Sequence, residues 1–352
     1  MKDKIFKLIR NKKFQLIVEI AIFFGISVFV IYTHLTNVRP IGTGNDIGVE
    51  FRTGIDLRQG INPYKRISTD DLLRNEKFAT LLPAYYYFLL GIAHISNYEF
   101  ETYIDAFRAV IYLSQIVGGF YLYMIFRRKG HKLLGFLALA FYLLNRWNID
   151  NTADLKQDSI AIGILMASLY YFEDRPKASY FLYGLSLAIK QIGVFILPLY
   201  LLPFLQGKRA FKNNLKNSIW ILIPTLAPAL TFMMDDLFTF MLSMIFSFTR
   251  APASNASVTF GYERILVRYN FTGIGFLTPF FYMLPRAILV LLSLSAIAGL
   301  YLGKIKKSFY IFTAFLIFAT FNPVVYDQYL VWAMAFAIFS VSDYLTNRNQ
   351  PV

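Results

Sequence analysis

The chain reads as a succession of apolar blocks, most near 20 residues long, separated by short polar links; about 20 residues is the length a helix needs to cross roughly 30 Å of hydrocarbon. Blocks at 14–34, 106–126, 133–146, 157–172, 217–234, 285–303, 308–321 and 328–345 fit single passages, and so many of them rule out a lone signal peptide or a single anchor. The block at 178–206 behaves differently. As one helix it would be about 44 Å long and would end on the wrong side, so its basic flanks predict two short arms that enter and leave on one side. Lys190 and Gln191 would then lie near the tip. The prediction is ten spans in one transmembrane domain, 1–352, with no internal repeat or heptad run.

Residues 37 to about 105 form the longest polar region, a first outer loop. Within it, 79–96 (ATLLPAYYYFLLGIAHIS) is apolar enough to span. Counting it as a span would put the cluster Arg127 to Lys132 outside, so it is expected to lie as a juxtamembrane helix at the outer interface, where tyrosines and Pro83 are at home. A second outer region, 236–284, is expected to hold an interfacial helix at 236–249 and a polar loop at 250–272.

Composition agrees: 57% of residues are hydrophobic and 16% charged, too oily for an ordinary water-soluble enzyme of 352 residues. The net charge of +14 would suggest nucleic acid in a soluble protein, but its distribution points to topology. Twenty of the 35 basic residues fall in links assigned to one side: 2–13, 127–132, 175–177, 208–216, 304–307 and Arg348. By the positive-inside rule these links and both termini are cytoplasmic. No nucleic-acid partner is expected. Cysteine is absent, which excludes disulfides, thiolate nucleophiles and cysteine metal sites.

Candidate chemistry concentrates at the outer ends. Asn45 to Tyr64 (NDIGVEFRTGIDLRQGINPY) is an unusually polar stretch that sets Asp46 close to the membrane surface, where a carboxylate can act on a hydroxyl or simply cap a helix. Lys190 sits among apolar residues and can either bind an anion or snorkel to the interface. Arg264 and Arg268, four apart, share a face if that stretch is helical. Asn255 and Asn270 each open an Asn-x-Ser/Thr triplet.

These residues carry a resemblance. Asp46 just after the first span, then Gly60, Pro63 and Tyr64, then Leu82, Pro83 and Tyr85 in the juxtamembrane helix, resemble the first outer loop of GT-C glycosyltransferases, most of all the polyprenyl-phosphate-mannose-dependent branch. The turn at Lys156, Gln157 and Asp158 is similar to a Gln-x-Asp-like element of such proteins, and 184–204 (GLSLAIKQIGVFILPLYLLPF) to their lysine-containing hairpin. VVYDQYLVW, 324–332, is similar to the Glu-Gln-Tyr-x-x-Trp element of GPI-mannosyltransferase relatives, with Asp327 where glutamate is usual. The family often pairs its catalytic acid with a second; here Asn45 precedes Asp46, so Glu50 or Asp56 would have to serve.

The resemblance implies an all-α GT-C-like bundle that transfers a hexose, mannose favoured, from a polyprenyl-phosphate donor to a glycolipid, glycan or protein hydroxyl. Asp46 would be the catalytic base, with Lys190, Arg264 and Arg268 on the donor phosphate. Tyr64, Gln157, Asp158, Gln191, Asp327, Gln328 and Tyr329 would bind substrate. A lipid monophosphate carries less charge than a nucleotide pyrophosphate, so neither metal nor cofactor is expected. Membrane lipids complete the set of partners. The membrane would be a bacterial plasma membrane, or the endoplasmic reticulum in a eukaryote. The rival reading is a transporter or flippase of lipid-linked sugars, which would favour ionisable residues at mid-membrane and internal repeats. A non-catalytic subunit of a larger transferase is a third.

Overall fold

The computed structural model describes residues 11–43, 46–66, 79–205, 207–249, 278–322 and 327–346. Secondary structure there is helical throughout, with no strand among the described residues. The helices are α1 Lys12–Thr36, α2 Asp46–Arg58, α3 Pro83–Ile95, α4 Phe100–Arg128, α5 Lys132–Leu144, α6 Arg146–Ala153, α7 Asp158–Tyr171, α8 Pro176–Ile189 and α9 Leu197–Leu201. They continue as α10 Lys208–Leu226, α11 Leu230–Thr249, α12 Thr278–Tyr301, α13 Lys307–Phe321, α14 Leu330–Ala337 and α15 Ser342–Thr346.

Four helical stretches are long and apolar enough to cross a membrane: Lys12–Thr36, Phe100–Arg128, Lys208–Met244 and Leu284–Tyr301. Four more, Lys132–Leu144, Asp158–Tyr171, Gln191–Leu205 and Lys307–Phe321, are apolar but shorter. The helix expected at 79–96 forms as α3, 13 residues or about 20 Å long, with Pro83 at its start, where a missing N–H costs nothing. The Asn45–Tyr64 stretch, read above as polar loop, is largely the helix α2. Ile47, Gly48, Thr53 and Gly54 form its buried face, and Gly54 faces the Leu89 carbonyl and Ala93 of α3.

The 178–206 block folds back as its flanks predict. α8 ends at Ile189, Lys190 takes an extended conformation, and a 3-10 turn at Gln191–Ile196 starts the return arm. Tyr200 on that arm stacks on Tyr183 of α8 with ring centroids 3.9 Å apart, and Tyr183 donates its hydroxyl proton to the Gly193 carbonyl at 2.9 Å. Beyond α10, the backbone is non-helical at Asp236, whose carboxylate accepts from the Thr239 N–H (3.0 Å) and hydroxyl (2.6 Å). That carboxylate acts as an N-cap, so a new helical segment begins where an interfacial helix was expected.

The core forms where α4, α7 and α8 pack closely. Gly118 and Gly163 let backbones touch: a Cβ on Gly163 would stand 2.4 Å from the Ser114 carbonyl oxygen, and one on Gly118 would stand 2.8 Å from the Gly163 Cα. Small residues at such a crossing are what allow helices to approach this closely. The contact also draws in polar groups. Gln115 Nε2 donates to Asn148 Oδ1 at 3.0 Å and Ser159 Oγ at 3.1 Å, and bonds to Thr152, tying α4 to α6 and α7.

Charges sort to two ends. At one, Glu19 accepts from Tyr123 (2.8 Å), Arg127 (2.8 Å) and Lys132 (2.5 Å). Arg128 pairs with Asp174, Lys307 with Glu173, and Lys129 with Asp343. The basic links at 127–132 and 304–307 and the acids that precede the link at 175–177 therefore lie together, which is what the links' common assignment to one side requires. α10 starts at this end too, since Tyr180 near the start of α8 bonds Asn214 near the start of α10. The predicted cytoplasmic termini, 1–10 and 347–352, lie outside the described residues.

Candidate functional site

The opposite end holds a second set of charges, and the hairpin tip is its centre. At Lys190 the helix of α8 stops: its N–H still bonds the Ser186 carbonyl at 2.9 Å, but φ −149° and ψ 120° turn the chain outward. The side chain, 12% exposed, is withdrawn from solvent, and Nζ stands 3.4 Å from Oδ2 of Asp158. Asp158 is the first residue of α7 and is fully buried, at the positive end of that helix dipole. Its Oδ1 accepts from the indole N–H of the buried Trp332 at 2.7 Å, which locks the carboxylate against α14. Among the described residues the Lys190 ammonium makes this ion contact but no hydrogen bond, which leaves N–H donors that an anion can use.

One carboxylate of α2, Glu50, lies within electrostatic reach of this cation, and Asp46 stands beside it. Asp46 and Glu50 are one turn apart, hence on one side of the helix. Asp46, half exposed, accepts from Lys156 at 2.6 Å. Lys156 follows Leu155, a buried non-glycine residue held at φ 53°, so the turn that presents Lys156 is strained. Glu50 is poorly solvated, and its Oε2 accepts from the Tyr85 hydroxyl at 2.7 Å. Burial pushes the Glu50 carboxyl up to about 7, against the opposing pull of the Tyr85 hydrogen bond and the Lys190 ammonium; Asp46 adds to the rise and Lys156 lowers it.

Ion clips surround the cluster. Arg39 bonds Asp154 at 2.9 Å and also Asp150, while Asp235 accepts from Asn62 at 2.7 Å and Lys65 at 2.9 Å, joining the first outer region to α11. These groups are largely exposed and position segments rather than bind with strength.

No family model and no curated protein matches the chain. The site is accordingly read from its own geometry.

That geometry brings some of the predicted residues together and parts others. Asp158 and Lys190 pair directly, Asp46 joins them through Lys156 and Glu50, and Gln157 is buried next to Asp158 in sequence. Gln191 turns away to donate to the Thr80 carbonyl at 3.3 Å. Tyr64 is fully buried among Tyr86, Phe232 and Phe240, and its hydroxyl donates to the Leu81 carbonyl at 2.7 Å. Gln328 and Tyr329 lie in a 3-10 turn with Asp327, and Tyr329 packs on Phe318. Arg264, Arg268, Asn255, Asn270 and the Asp327 side chain lie outside the described residues.

Lys156 and Trp332, which the sequence presents only inside motifs, are the residues that hold Asp46 and Asp158. Nothing in either local sequence announces its carboxylate partner. Among the described residues, no three His, Asp or Glu side chains gather as metal ligands.

Proposed function

We propose that this protein is a multi-pass membrane glycosyltransferase. It has ten spans with both termini cytoplasmic, in the plasma membrane of a bacterium. It moves a hexose, mannose favoured, from a polyprenyl phosphate to a hydroxyl of a glycolipid, glycan or protein at the outer face. The observation that carries the reading is the Lys190 ammonium, sheltered from solvent, neutralised by Asp158, and within electrostatic reach of the Glu50 carboxyl at the end of an apolar helical bundle.

The chemistry needs those charges. An acceptor oxygen attacks the anomeric carbon as the bond from that carbon to the phosphate oxygen breaks, with inversion at the carbon. The electron pair leaves with the lipid phosphate, whose growing charge Lys190 stabilises, and the acceptor proton passes to the carboxylate face of α2. Because Lys190 is held in a poorly solvated place, its interaction with a phosphate is worth more than the same contact in water. The long apolar helices give the donor's tail a solvent.

One observation favours the transporter reading: a helix broken at an ionisable residue, as at Lys190, is a device that transporters use to bind substrate. The test separating the two is hexose transfer from polyprenyl-phosphate-mannose or its glucose counterpart in liposomes without any gradient. A transferase consumes donor; a flippase moves it across the bilayer unchanged.

A further inference from the structure

Two carboxylates of α2 border the site, and they are not equivalent: Glu50 senses the Lys190 cation, and Asp46 binds Lys156. Asp46 is half exposed and engaged by Lys156 at 2.6 Å, so it is both paired to a cation and open to solvent. Glu50, one turn on, is held at one oxygen only. Tyr85 donates to Oε2 at 2.7 Å, while Oε1 makes no hydrogen bond among the described residues. A general base needs a free lone pair, a fixed direction and little solvation, and only Glu50 has all three.

We infer that Glu50 is the carboxylate that takes the acceptor's proton, with Tyr85 as the positioning residue that aims it; the inference rests on the transferase reading. In the step, the acceptor O–H gives its proton to Oε1 while its oxygen bonds the anomeric carbon and the lipid phosphate departs with the electron pair. Glu50 then returns the proton to solvent or to the departing phosphate. Asp46 and Lys156 form a positioning pair at the mouth.

The groups that face Glu50 set its behaviour: Tyr85 from α3, Tyr103 from α4, Lys190 at the hairpin tip, Asp46 on α2 and Lys156 before α7. A carboxyl pushed up to about 7 by burial is matched to accepting and releasing a proton near neutrality. Tyr85 and Lys190 oppose that rise, so removing either moves the titration to higher pH.

The experiment is transfer of radiolabelled hexose from polyprenyl-phosphate-mannose and polyprenyl-phosphate-glucose to membrane lipid extract, measured against pH for wild type, Glu50→Gln, Tyr85→Phe and Asp46→Asn. Infrared difference spectra of the carboxylic-acid C=O band are recorded on the same samples. The inference expects Glu50→Gln to lose on the order of a hundredfold or more in kcat and to lose the rising limb of the pH profile. Tyr85→Phe should keep that limb but move it to higher pH. A carboxyl band titrating near neutrality should vanish in Glu50→Gln and persist in Asp46→Asn. An active wild type with an equally active Glu50→Gln overturns the Glu50 assignment alone, as does a neutral-range band lost with Asp46→Asn instead. A wild type that transfers from neither donor, with the Glu50 band still titrating, overturns the transferase reading.

Discussion

The Lys190 ammonium lies 3.4 Å from Oδ2 of Asp158, and the structure withdraws both side chains from solvent. A pair in such a place is costly to break and much less costly to remove, because the penalty comes from the charge left behind. Lys190→Met is therefore expected to lower stability by about 3 kcal/mol, read as a fall in unfolding midpoint in mild detergent. The double variant Asp158→Asn/Lys190→Met, which keeps an acceptor for the Trp332 indole, is expected to recover most of that loss but none of the hexose transfer.

The crossing of α4 and α7 makes a steric prediction. Gly163→Ala places a methyl group 2.4 Å from the Ser114 carbonyl oxygen, so the helices must part, at a cost of about 1–3 kcal/mol. Gly91→Ala in α3 meets nothing within 4 Å and should be neutral or slightly stabilising, because alanine is the better helix former. Thermal unfolding of the two variants side by side checks the contrast.

Glu50 ties stability to pH. Its folded carboxyl is pushed up to about 7 from an ordinary value of 4.5, so the folded protein holds a proton that the unfolded chain releases. The contribution is fully present below about pH 4.5 and is lost as pH rises through 7. On the order of 3 kcal/mol is at stake. Glu50→Gln, which cannot ionise, should show a gain in unfolding midpoint over wild type at pH 8 that shrinks toward pH 5.

Topology is open to direct test because the chain has no cysteine and every introduced thiol is unique. Gln59→Cys, exposed in the turn just past α2, should react with a membrane-impermeant maleimide in intact cells. Lys304→Cys, at the end carrying the basic links, should react only after permeabilisation. Labelling of both in intact cells would break the ten-span account.

Much of this was legible in the chain. The 178–206 hairpin followed from basic links at both ends of a segment too long for one span, and α3 from the charge placement that denied it a span. Asp46, Asp158 and Lys190 could be singled out because ionisable residues are rare beside such apolar blocks. Their pairing could not. Lys156 reaches Asp46 across 110 positions and Trp332 reaches Asp158 across 174, and no local pattern encodes such a contact. α2 was read as loop because its low overall hydrophobicity hides a helix whose buried face is partly glycine and threonine. Tyr64, singled out by a motif, is buried with its hydroxyl on the Leu81 carbonyl, a packing environment that the motif did not announce.

The measurement that bears most directly on the account is hexose transfer from a radiolabelled polyprenyl-phosphate sugar in liposomes, with wild type and Lys190→Met compared and no gradient imposed. The account predicts that wild type consumes the donor and yields a glycosylated acceptor and free polyprenyl phosphate, and that Lys190→Met loses on the order of a hundredfold or more, the scale of removing one preorganised charge at a developing anion. Donor that stays chemically intact but changes leaflet, or a Lys190→Met variant as active as wild type, would contradict it.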